Sequence, residues 1–579
     1  MRPLRLVLAA LPTLLVACGE DAPSPTPADA STRDALTPDA SDGGDDAARR
    51  WEGPARINVT RYDYRIDLAT RAVDARLTLR VEREGDCVTI GFRHPSADAV
   101  TFDDAPARDV TVANDTLRAC DGRGQGFALG ATVTLAVRST QPLTTWRPTQ
   151  VGFSTRASAT GGGLFTYLLS WVGECARFGP CDATPSAFAT YRFTVTHPSG
   201  TQVLCPGTVT AGDTETVCDF THPGGPTYST IGVMAIANRW RATALGTARG
   251  VAVTLHDTPT SRITETIDRP NTLGFLTWMG DTFGAYPYGD ALRLVVAPTY
   301  WVGFEHPGNI ALAETLVSGN RLDHTVRHEV AHQWAGDQTT VATVHDFAWK
   351  EAMAEYLAFV YEDERRVRDE ARTTLSVWRD AAGRADHYPA PDEDIPLLSY
   401  YGSVYGPGPM ILFRQVEVMF SRRQVMDALR MLLGRPQALS LDDVRAALEQ
   451  TTGASLDGYF RAWLRGTGAP AWPGARVTRT AMPDGTLRVQ VRVETRDAVI
   501  RPCRFRVRLT GDGGEQLDIP VTVGLDGSQP AAVTVRPTFA VTGEVINPEY
   551  EALVWPLAPT GTQWIAPTPT PGWDPFRAP

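Results

Sequence analysis

Lysine is almost absent from this chain. Among its 55 lysine and arginine residues only Lys350 is a lysine, and 66 acidic residues bring the formal net charge to −11. A chain with this balance lacks the excess positive charge that binds nucleic acid or an anionic lipid surface. We therefore expect no nucleic-acid partner, and we expect any membrane contact to depend on an anchor.

The N-terminus lacks a long apolar run. Only residues 6–16 form an apolar stretch, behind Arg2 and Arg5, as in a signal peptide and too short for a comfortable membrane span. The stretch ends in Leu15-Val16-Ala17-Cys18, which resembles a bacterial lipobox. The resemblance implies a lipoprotein signal peptide at 1–18 and lipidation of Cys18; the alternative is an ordinary signal peptide. The expected location is outside the cytoplasm, on the outer membrane or cell surface.

Residues 19–50 contain almost no large apolar side chains and are rich in Ala, Asp, Pro, Ser and Thr. A segment of this composition cannot bury enough surface to fold. We predict a disordered acidic linker between the signal peptide and the folded part of the chain.

The folded part is too long for one core. Short alternating strands predict an N-terminal all-β domain at 51–257. Helical periods predict a helical domain at 258–470, and alternation returns in a predicted C-terminal β-sandwich at 471–558, before a Pro-rich tail at 559–579. The expected fold class is multidomain α+β.

The helical periods also predict individual helices. They fall at 262–283, 320–335, 348–366, 410–420, 424–433, 441–450 and 456–464. Ser440 and Asp443 form an N-cap signal, and Gly453 stands where a helix should end.

Seven cysteines follow Cys18, and an exported chain with cysteines at short spacings favours disulfides. Spacing alone does not fix the connectivity. Our expected pairs are Cys87–Cys120, Cys175–Cys181 and Cys205–Cys218, which leaves Cys503 unpaired.

The motif His328-Glu329-x-x-His332 lies on the predicted helix at 320–335. Histidines four residues apart share one helix face, so both imidazoles can bind one metal ion, while Glu329 can reach the bound water. A metzincin-type continuation is excluded because Ala335 and Gln338 occupy the places of its Gly and His.

The third ligand would come from the next predicted helix, where Glu351 lies nineteen residues beyond His332 and Glu355 one turn further. Two histidines and a glutamate leave a fourth position for water, which is typical of catalytic zinc. We expect one Zn²⁺ ion, with Glu351 and Glu355 as the competing candidates for its third ligand.

The spacing of His328, His332 and Glu351 resembles the gluzincin aminopeptidases related to aminopeptidase N, peptidase family M1. The resemblance extends loosely over 55–555 and is specific only over about 280–410. Four segments carry it further: His332-Gln333-Trp334, Phe283-Gly-Ala-Tyr-Pro-Tyr288, Gly303-Phe304-Glu305-His306 and Tyr405-x-x-Gly408, with a weaker match at Phe178-Gly-Pro-Cys-Asp182. It implies a thermolysin-like α-helical catalytic domain.

The resemblance also favours Glu351 over Glu355 as the third ligand and implies roles for other residues. Glu329 would be the catalytic base, Glu305 would bind the free amino group of a peptide, and Tyr405 would stabilise the oxyanion. Gly303 would also belong to the substrate-binding site. Val302, Phe304 and His306 depart from the family's Gly-x-Met-Glu-Asn pattern and change the first side-chain pocket, and Lys350 stands where Asn is common.

Three further expectations concern neighbouring residues. The resemblance offers Glu174 as a further residue for binding the amine, and Asp346 either orients a ligand histidine or caps a loop. The other histidines lack ligand spacing and are expected at the surface or in turns: 94, 197, 222, 256, 324, 345 and 387.

Together these features predict a zinc-dependent aminopeptidase that acts on peptides outside the cytoplasm. The alternatives are a thermolysin-like endopeptidase and a catalytically inactive surface binding or scaffold protein. The sequence does not indicate an oligomeric state.

Overall fold

The computed structural model describes residues 53–557 except for 144–150, 162, 222–231, 237–239, 300, 317–319, 366–371, 373, 374, 376–411, 466–471, 496 and 498. Cys18, the segment 19–50, Tyr405 and the tail at 559–579 lie outside the described residues. Within the described part, no helix is long and apolar enough to cross a membrane.

The N-terminal region is rich in β-structure, as its alternating pattern predicts. Its strands are β1 (Arg56–Asp67), β2 (Ala72–Arg83), β3 (Cys87–Gly91), β4 (Ala97–Phe102), β5 (Ala105–Pro106), β6 (Arg108–Ala113), β7 (Thr116–Cys120), β8 (Thr132–Thr140), β9 (Gly152–Ala157), β10 (Leu164–Leu169), β11 (Thr190–Thr196), β12 (Gln202–Leu204), β13 (Thr208–Ala211), β14 (Glu215–Phe220), β15 (Gly232–Ile236), β16 (Arg241–Ala248) and β17 (Val251–Asp257). Its 3₁₀ helix covers Cys175–Arg177.

Three sheets use most of these strands. Their orders are β13-β14-β11-β1-β2-β8-β4-β5, β12-β15-β10-β9 and β3-β7-β6. Strand β2 shows why the pattern folds this way: every second residue is buried and faces the core, while the residues between them are partly or fully exposed. The buried residues are Val73, Ala75, Leu77, Leu79 and Val81. Successive side chains of a strand point to opposite faces, so alternation buries one face of the sheet.

The next sheet positions the candidate site. It has the order β16-β17-β18-β20-β19, with β18 (Ala291–Ala297), β19 (Gly303–Phe304) and β20 (Asn309–Ala313). Strands β17, β18 and β20 are parallel, and the short edge strand β19 runs antiparallel to β20. Because β16 and β17 belong to this sheet, it extends across the predicted domain boundary at residue 258.

The described helices follow the predicted ones closely. They are α1 (Ile263–Thr266), α2 (Arg269–Phe283), α3 (Asn320–His332), α4 (Phe347–Glu364), α5 (Leu412–Met419), α6 (Arg422–Leu432), α7 (Leu441–Thr452) and α8 (Asp457–Leu464), with a 3₁₀ helix at Val344–Asp346. The capping box at Ser440 and Asp443 and the left-handed C-cap at Gly453 are confirmed. Strands β21 (Thr339–Val341) and β22 (Gln437–Leu439) pair beside these helices.

The prediction of one helix over 262–283 is wrong, because α1 and α2 are separate. Ile267 is extended, and the Asp268 side chain accepts a hydrogen bond from the Asn271 backbone N–H, 3.0 Å away. Pro270 follows in the first turn, where its missing N–H leaves no helical hydrogen bond unmade. Asp268 and Pro270 therefore begin a new helix.

Helix α4 is a buried helix rather than a surface one. Every residue from Phe347 to Glu362 is buried. Charged side chains in that stretch must therefore find partners inside the protein, since an unpaired buried charge is costly.

The C-terminal region contains two small sheets. One has the order β27-β24-β23-β29 and the other β26-β25-β28. Their strands are β23 (Gly474–Ala481), β24 (Leu487–Glu494), β25 (Cys503–Thr510), β26 (Gln516–Val523), β27 (Val533–Val535), β28 (Gly543–Ile546) and β29 (Trp555–Pro556).

The predicted disulfides are confirmed. Cys87 is bonded to Cys120, Cys175 to Cys181 and Cys205 to Cys218, while Cys503 is buried as a free thiol. All three bonds lie in the N-terminal β-rich region.

Candidate active site

Two histidines of α3 face each other one helical turn apart. The Nε2 atoms of His328 and His332 are 2.9 Å apart, and their rings meet nearly at right angles. Both side chains are buried. The four-residue spacing therefore brings two imidazole nitrogens to one point, as the sequence predicts.

Helix α4 adds a carboxylate to this point. Glu351 Oε2 lies 3.3 Å from His328 Nε2 and 3.4 Å from His332 Nε2. Two imidazole nitrogens and a carboxylate oxygen this close together are the donor set of a three-ligand zinc site. The donor chemistry and the convergence of the three atoms fit one zinc ion.

Glu355, the competing ligand, lies on the other side of His328. Its Oε1 is 2.9 Å from His328 Nδ1, while its Oε2 is 2.9 Å from His324 Nε2. Glu355 thus contacts the nitrogen of His328 that faces away from His332. His332 has an equivalent contact, because its Nδ1 lies 2.9 Å from the carbonyl oxygen of Ala335. Such partners fix the ring orientation of a metal-binding histidine.

A buried polar chain continues behind Glu355. His324 Nδ1 lies 2.7 Å from Glu362 Oε1, and that oxygen also accepts hydrogen bonds from Arg327. Burial alone would lower the pKa of His324, but Glu355 and Glu362 outweigh it and raise the pKa to about 9. His324 is therefore a charged link between two carboxylates.

The expectation that His324 lies at the surface or in a turn is wrong, since it is 8% exposed. It is also wrong for His256, which is buried in β17. His94 and His197 are buried as well, but they lie in the connections after β3 and β11. The spacing of histidines in the sequence can identify metal ligands, but it does not predict whether the other histidines are buried or exposed.

Replacing Glu355 by glutamine should weaken zinc binding by about 10- to 100-fold, the usual effect of losing such a partner. The amide keeps the size of the side chain but loses the charge that orients His328. Competition with a zinc chelator measures the effect. Glu449→Gln, which changes a partly exposed carboxylate on α7, is the control and should keep the zinc affinity of the unaltered protein. An unchanged affinity in Glu355→Gln would contradict the assigned role.

Glu329 projects from α3 toward β19. A Cβ atom placed on Gly303 would overlap the Glu329 carboxylate, so the glycine makes room for it. Burial is the main reason why the pKa of Glu329 is raised to about 8, although His328 acts in the opposite direction. A cation bound nearby would favour the ionised carboxylate.

Glu305 follows β19 and lies beside the histidine cluster. Its Oε1 accepts hydrogen bonds from Lys350 Nζ at 2.8 Å and from Trp171 Nε1 at 3.0 Å. Lys350 Nζ also donates to Glu351 Oε1 at 2.8 Å. Burial acts to raise the pKa of Glu305, but Lys350 and His332 outweigh it and lower the pKa to about 2. Glu305 is therefore ionised.

Gln333 ties the Glu305 loop to α3. Its Nε2 donates to the carbonyl oxygen of Glu305 at 2.7 Å, and its Oε1 accepts from the Gly308 backbone N–H at 2.9 Å and from the Tyr286 hydroxyl at 3.0 Å. Three of the segments that carry the family resemblance, those of Tyr286, Glu305 and Gln333, therefore meet around one glutamine side chain.

Two of the weaker sequence candidates have other roles. The Glu174 carboxylate pairs with Arg93 at 2.5 Å and Arg177 at 2.6 Å, which engages it in the β-rich region. Asp346 accepts from Thr343 and from the backbone N–H of Leu441, so it caps a loop and a helix start.

Sequence reasoning missed three neighbours of the site: Trp171, Lys350 as a partner of Glu305, and Gln333 as the loop anchor. The sequence offers a hint that Lys350 belongs to the site, because it is the only lysine and directly precedes Glu351. The sequence offers no such hint for Trp171, since it lies 134 residues before its partner Glu305. Tyr405 lies outside the described residues, and its role stays a prediction.

Comparison with known proteins finds a match for the segment that contains Glu305 and the three candidate zinc ligands. Residues 271–397 match the model of the peptidase family M1 domain. Leucine aminopeptidase 2 of Chaetomium globosum is 23% identical over 333 residues, which are 54% of this chain and 51% of that protein. Aminopeptidase RNPEPL1 of Homo sapiens is 28% identical over 217 residues, which are 37% of this chain and 28% of that protein. The chain thus spans about half of the first relative's length and less of the second.

Two solved structures share the fold. One is aminopeptidase A of Legionella pneumophila in complex with aspartic acid, with a TM-score of 0.71 and 15% identity over 87% of this chain and 60% of that one. The other is a mutant of an M1 zinc metallopeptidase from Deinococcus radiodurans, with a TM-score of 0.58 and 18% identity over 72% of this chain and 95% of that one. At such identities the likeness concerns the fold alone.

Proposed function

We propose that this chain, which carries a peptidase family M1 domain, is a zinc-dependent aminopeptidase that removes N-terminal residues from peptides outside the cytoplasm. The observation that carries the proposal is the position of Glu305. Its carboxylate shares the Lys350 ammonium with Glu351, so a candidate amine-binding group lies beside the candidate metal site.

His328, His332 and Glu351 would hold the zinc ion. When bound, zinc supplies Lewis acidity, which polarises the scissile carbonyl and lowers the pKa of water to about 7. Ala335 and Glu355 orient the two imidazoles for this task.

Glu329 would accept the proton of the attacking water and deliver it to the leaving amine. On α3 it is next to His328, and its carboxylate oxygen lies within 4.8 Å of the ring nitrogens of His328 and His332. The carboxylate is therefore close enough to take a proton from a water molecule at the metal site. Gly303 leaves it the space to reach the substrate.

Glu305 would bind the α-ammonium of the peptide. The pair of donors on Oε1 fixes the carboxylate, and within the described part of the chain no hydrogen bond reaches Oε2. A free N-terminus bound to Oε2 would place the first peptide bond, rather than a later one, beside the zinc site. This is how the site would distinguish an exopeptidase from an endopeptidase.

Two parts of the proposal rest on the sequence. Tyr405 would donate to the oxyanion, which is the role implied by the family motif. Cys18 would carry the lipid that anchors the enzyme to a bacterial membrane, with the acidic segment 19–50 as a linker.

Zinc analysis together with a panel of aminoacyl-coumarin substrates tests the proposal. We expect one zinc ion per chain, loss of turnover on chelation, and release of coumarin from substrates with a free amino group but not from their N-acetyl forms. Equal turnover of both forms would favour the endopeptidase. Absence of zinc and turnover would favour the binding or scaffold protein.

A further inference from the structure

The only lysine of the chain lies inside the candidate active site. Lys350 is 0% exposed, and its Nζ lies 2.8 Å from both Glu305 Oε1 and Glu351 Oε1. The ammonium also lies 5.5 Å from the centre of the Phe347 ring. A buried ammonium held by two carboxylates is a fixed part of the site.

This ammonium has the same chemistry as the group that Glu305 is proposed to bind. A peptide that offers its N-terminus to Glu305 would bring a second ammonium to a carboxylate that already has one. Trp171 donates to the same oxygen as Lys350, but its indole carries no charge. Lys350 is therefore a positively charged neighbour of Glu305 that repels the incoming group.

We propose that Lys350 is a specificity-determining residue that weakens the preference of the site for a free amino terminus. The proposal rests on the proposed function, because it takes Glu305 as the amine-binding residue. It goes beyond that function because it predicts that Lys350 makes the site prefer free amino termini less strongly than it would with Glu305 alone.

The direction of the effect follows from charge. Two like charges about 5 Å apart in a partly dehydrated site repel strongly enough to change an affinity by about tenfold or more. A ligand without the ammonium does not feel this repulsion. Removing the charge of Lys350 should therefore strengthen the binding of amines and leave their amine-free analogues largely unaffected.

The test compares leucinol with 4-methylpentan-1-ol, which differ only by the amino group, as competitive inhibitors of the zinc-loaded enzyme. Selectivity is the Ki of 4-methylpentan-1-ol divided by the Ki of leucinol. We expect this ratio to rise about tenfold or more in Lys350→Met and Lys350→Gln and to stay within about twofold of the unaltered enzyme in Lys350→Arg. A ratio of inhibition constants does not depend on the fraction of correctly folded protein.

Each outcome has a defined meaning. A ratio that falls or stays constant in Lys350→Met overturns the proposal, because the orientation of Glu305 by Lys350 would then matter more for amine binding than the repulsion does. A rise in Lys350→Met without one in Lys350→Gln also overturns it, because both variants remove the charge.

Measuring the same ratio in Glu305→Gln shows whether a negative result concerns the role of Lys350 or the proposed function of Glu305. If Glu305 binds the amine, the ratio should fall toward one in this variant. A ratio that Glu305→Gln does not change would refute the amine-binding role itself, whatever the Lys350 variants show. If Glu305→Gln lowers the ratio and Lys350→Met leaves it unchanged, only the role of Lys350 is refuted.

Discussion

Replacing Glu329 by glutamine should lower kcat by about 10²- to 10⁴-fold, the contribution of a positioned general base. The amide cannot take a proton from water, while its size matches the carboxylate that Gly303 accommodates. His328, His332 and Glu351 are unchanged in the variant, so one zinc ion per chain should remain bound. Steady-state kinetics and metal analysis on the same preparation measure both quantities.

The matched control is Glu551→Gln, which also removes a buried carboxylate but lies in the C-terminal region, where it pairs with Arg506. This variant should keep kcat near that of the unaltered enzyme. Full activity in Glu329→Gln would refute the assignment of the base. Loss of zinc from Glu329→Gln would mean that Glu329 contributes to metal binding rather than to proton transfer.

The second large effect is expected from Glu305→Gln, which should lower kcat/KM for substrates with a free amino group. Truncating one partner of a buried charge pair costs about 2–5 kcal/mol, or about 30- to several-thousand-fold. Turnover of N-acetyl substrates, which lack the ammonium, should change little. The preference for free amino termini should therefore be largely lost, as measured by parallel assays of each substrate with its acetylated form.

Glu174→Gln is the control for this experiment. Glu174 is the other carboxylate considered for the amine, yet Arg93 and Arg177 engage it. The variant should keep the preference of the unaltered enzyme. If Glu174→Gln lost the preference and Glu305→Gln retained it, the amine-binding role would belong to Glu174.

The local parts of the site could be predicted from the sequence. Helical spacing alone brings His328 and His332 together, because residues four apart share one helix face. The capping box at Ser440 is likewise a local pattern, and its hydrogen bonds form between neighbouring residues. Predictions of this kind need no knowledge of which segments meet in the folded chain.

The long-range parts could not be predicted. Trp171 reaches Glu305 from the loop after β10, and Lys350 reaches it from α4. Nothing in the periodicity of either segment specifies these contacts, since packing between distant elements decides them. The break before α2 could have been predicted, because Asp268 and Pro270 are a recognisable helix-start signal. The helical pattern over 262–283 led instead to the prediction of a single helix.

The burial of Lys350 has a consequence for proteolysis. A protease specific for lysine can cut this chain at one peptide bond, between Lys350 and Glu351, inside the buried helix α4. Cleavage therefore requires local unfolding of that helix, and its rate reports how often the helix opens. The two fragments would carry the histidine pair and Glu351 separately, so a single nick at the lysine would divide the candidate metal site between two polypeptides.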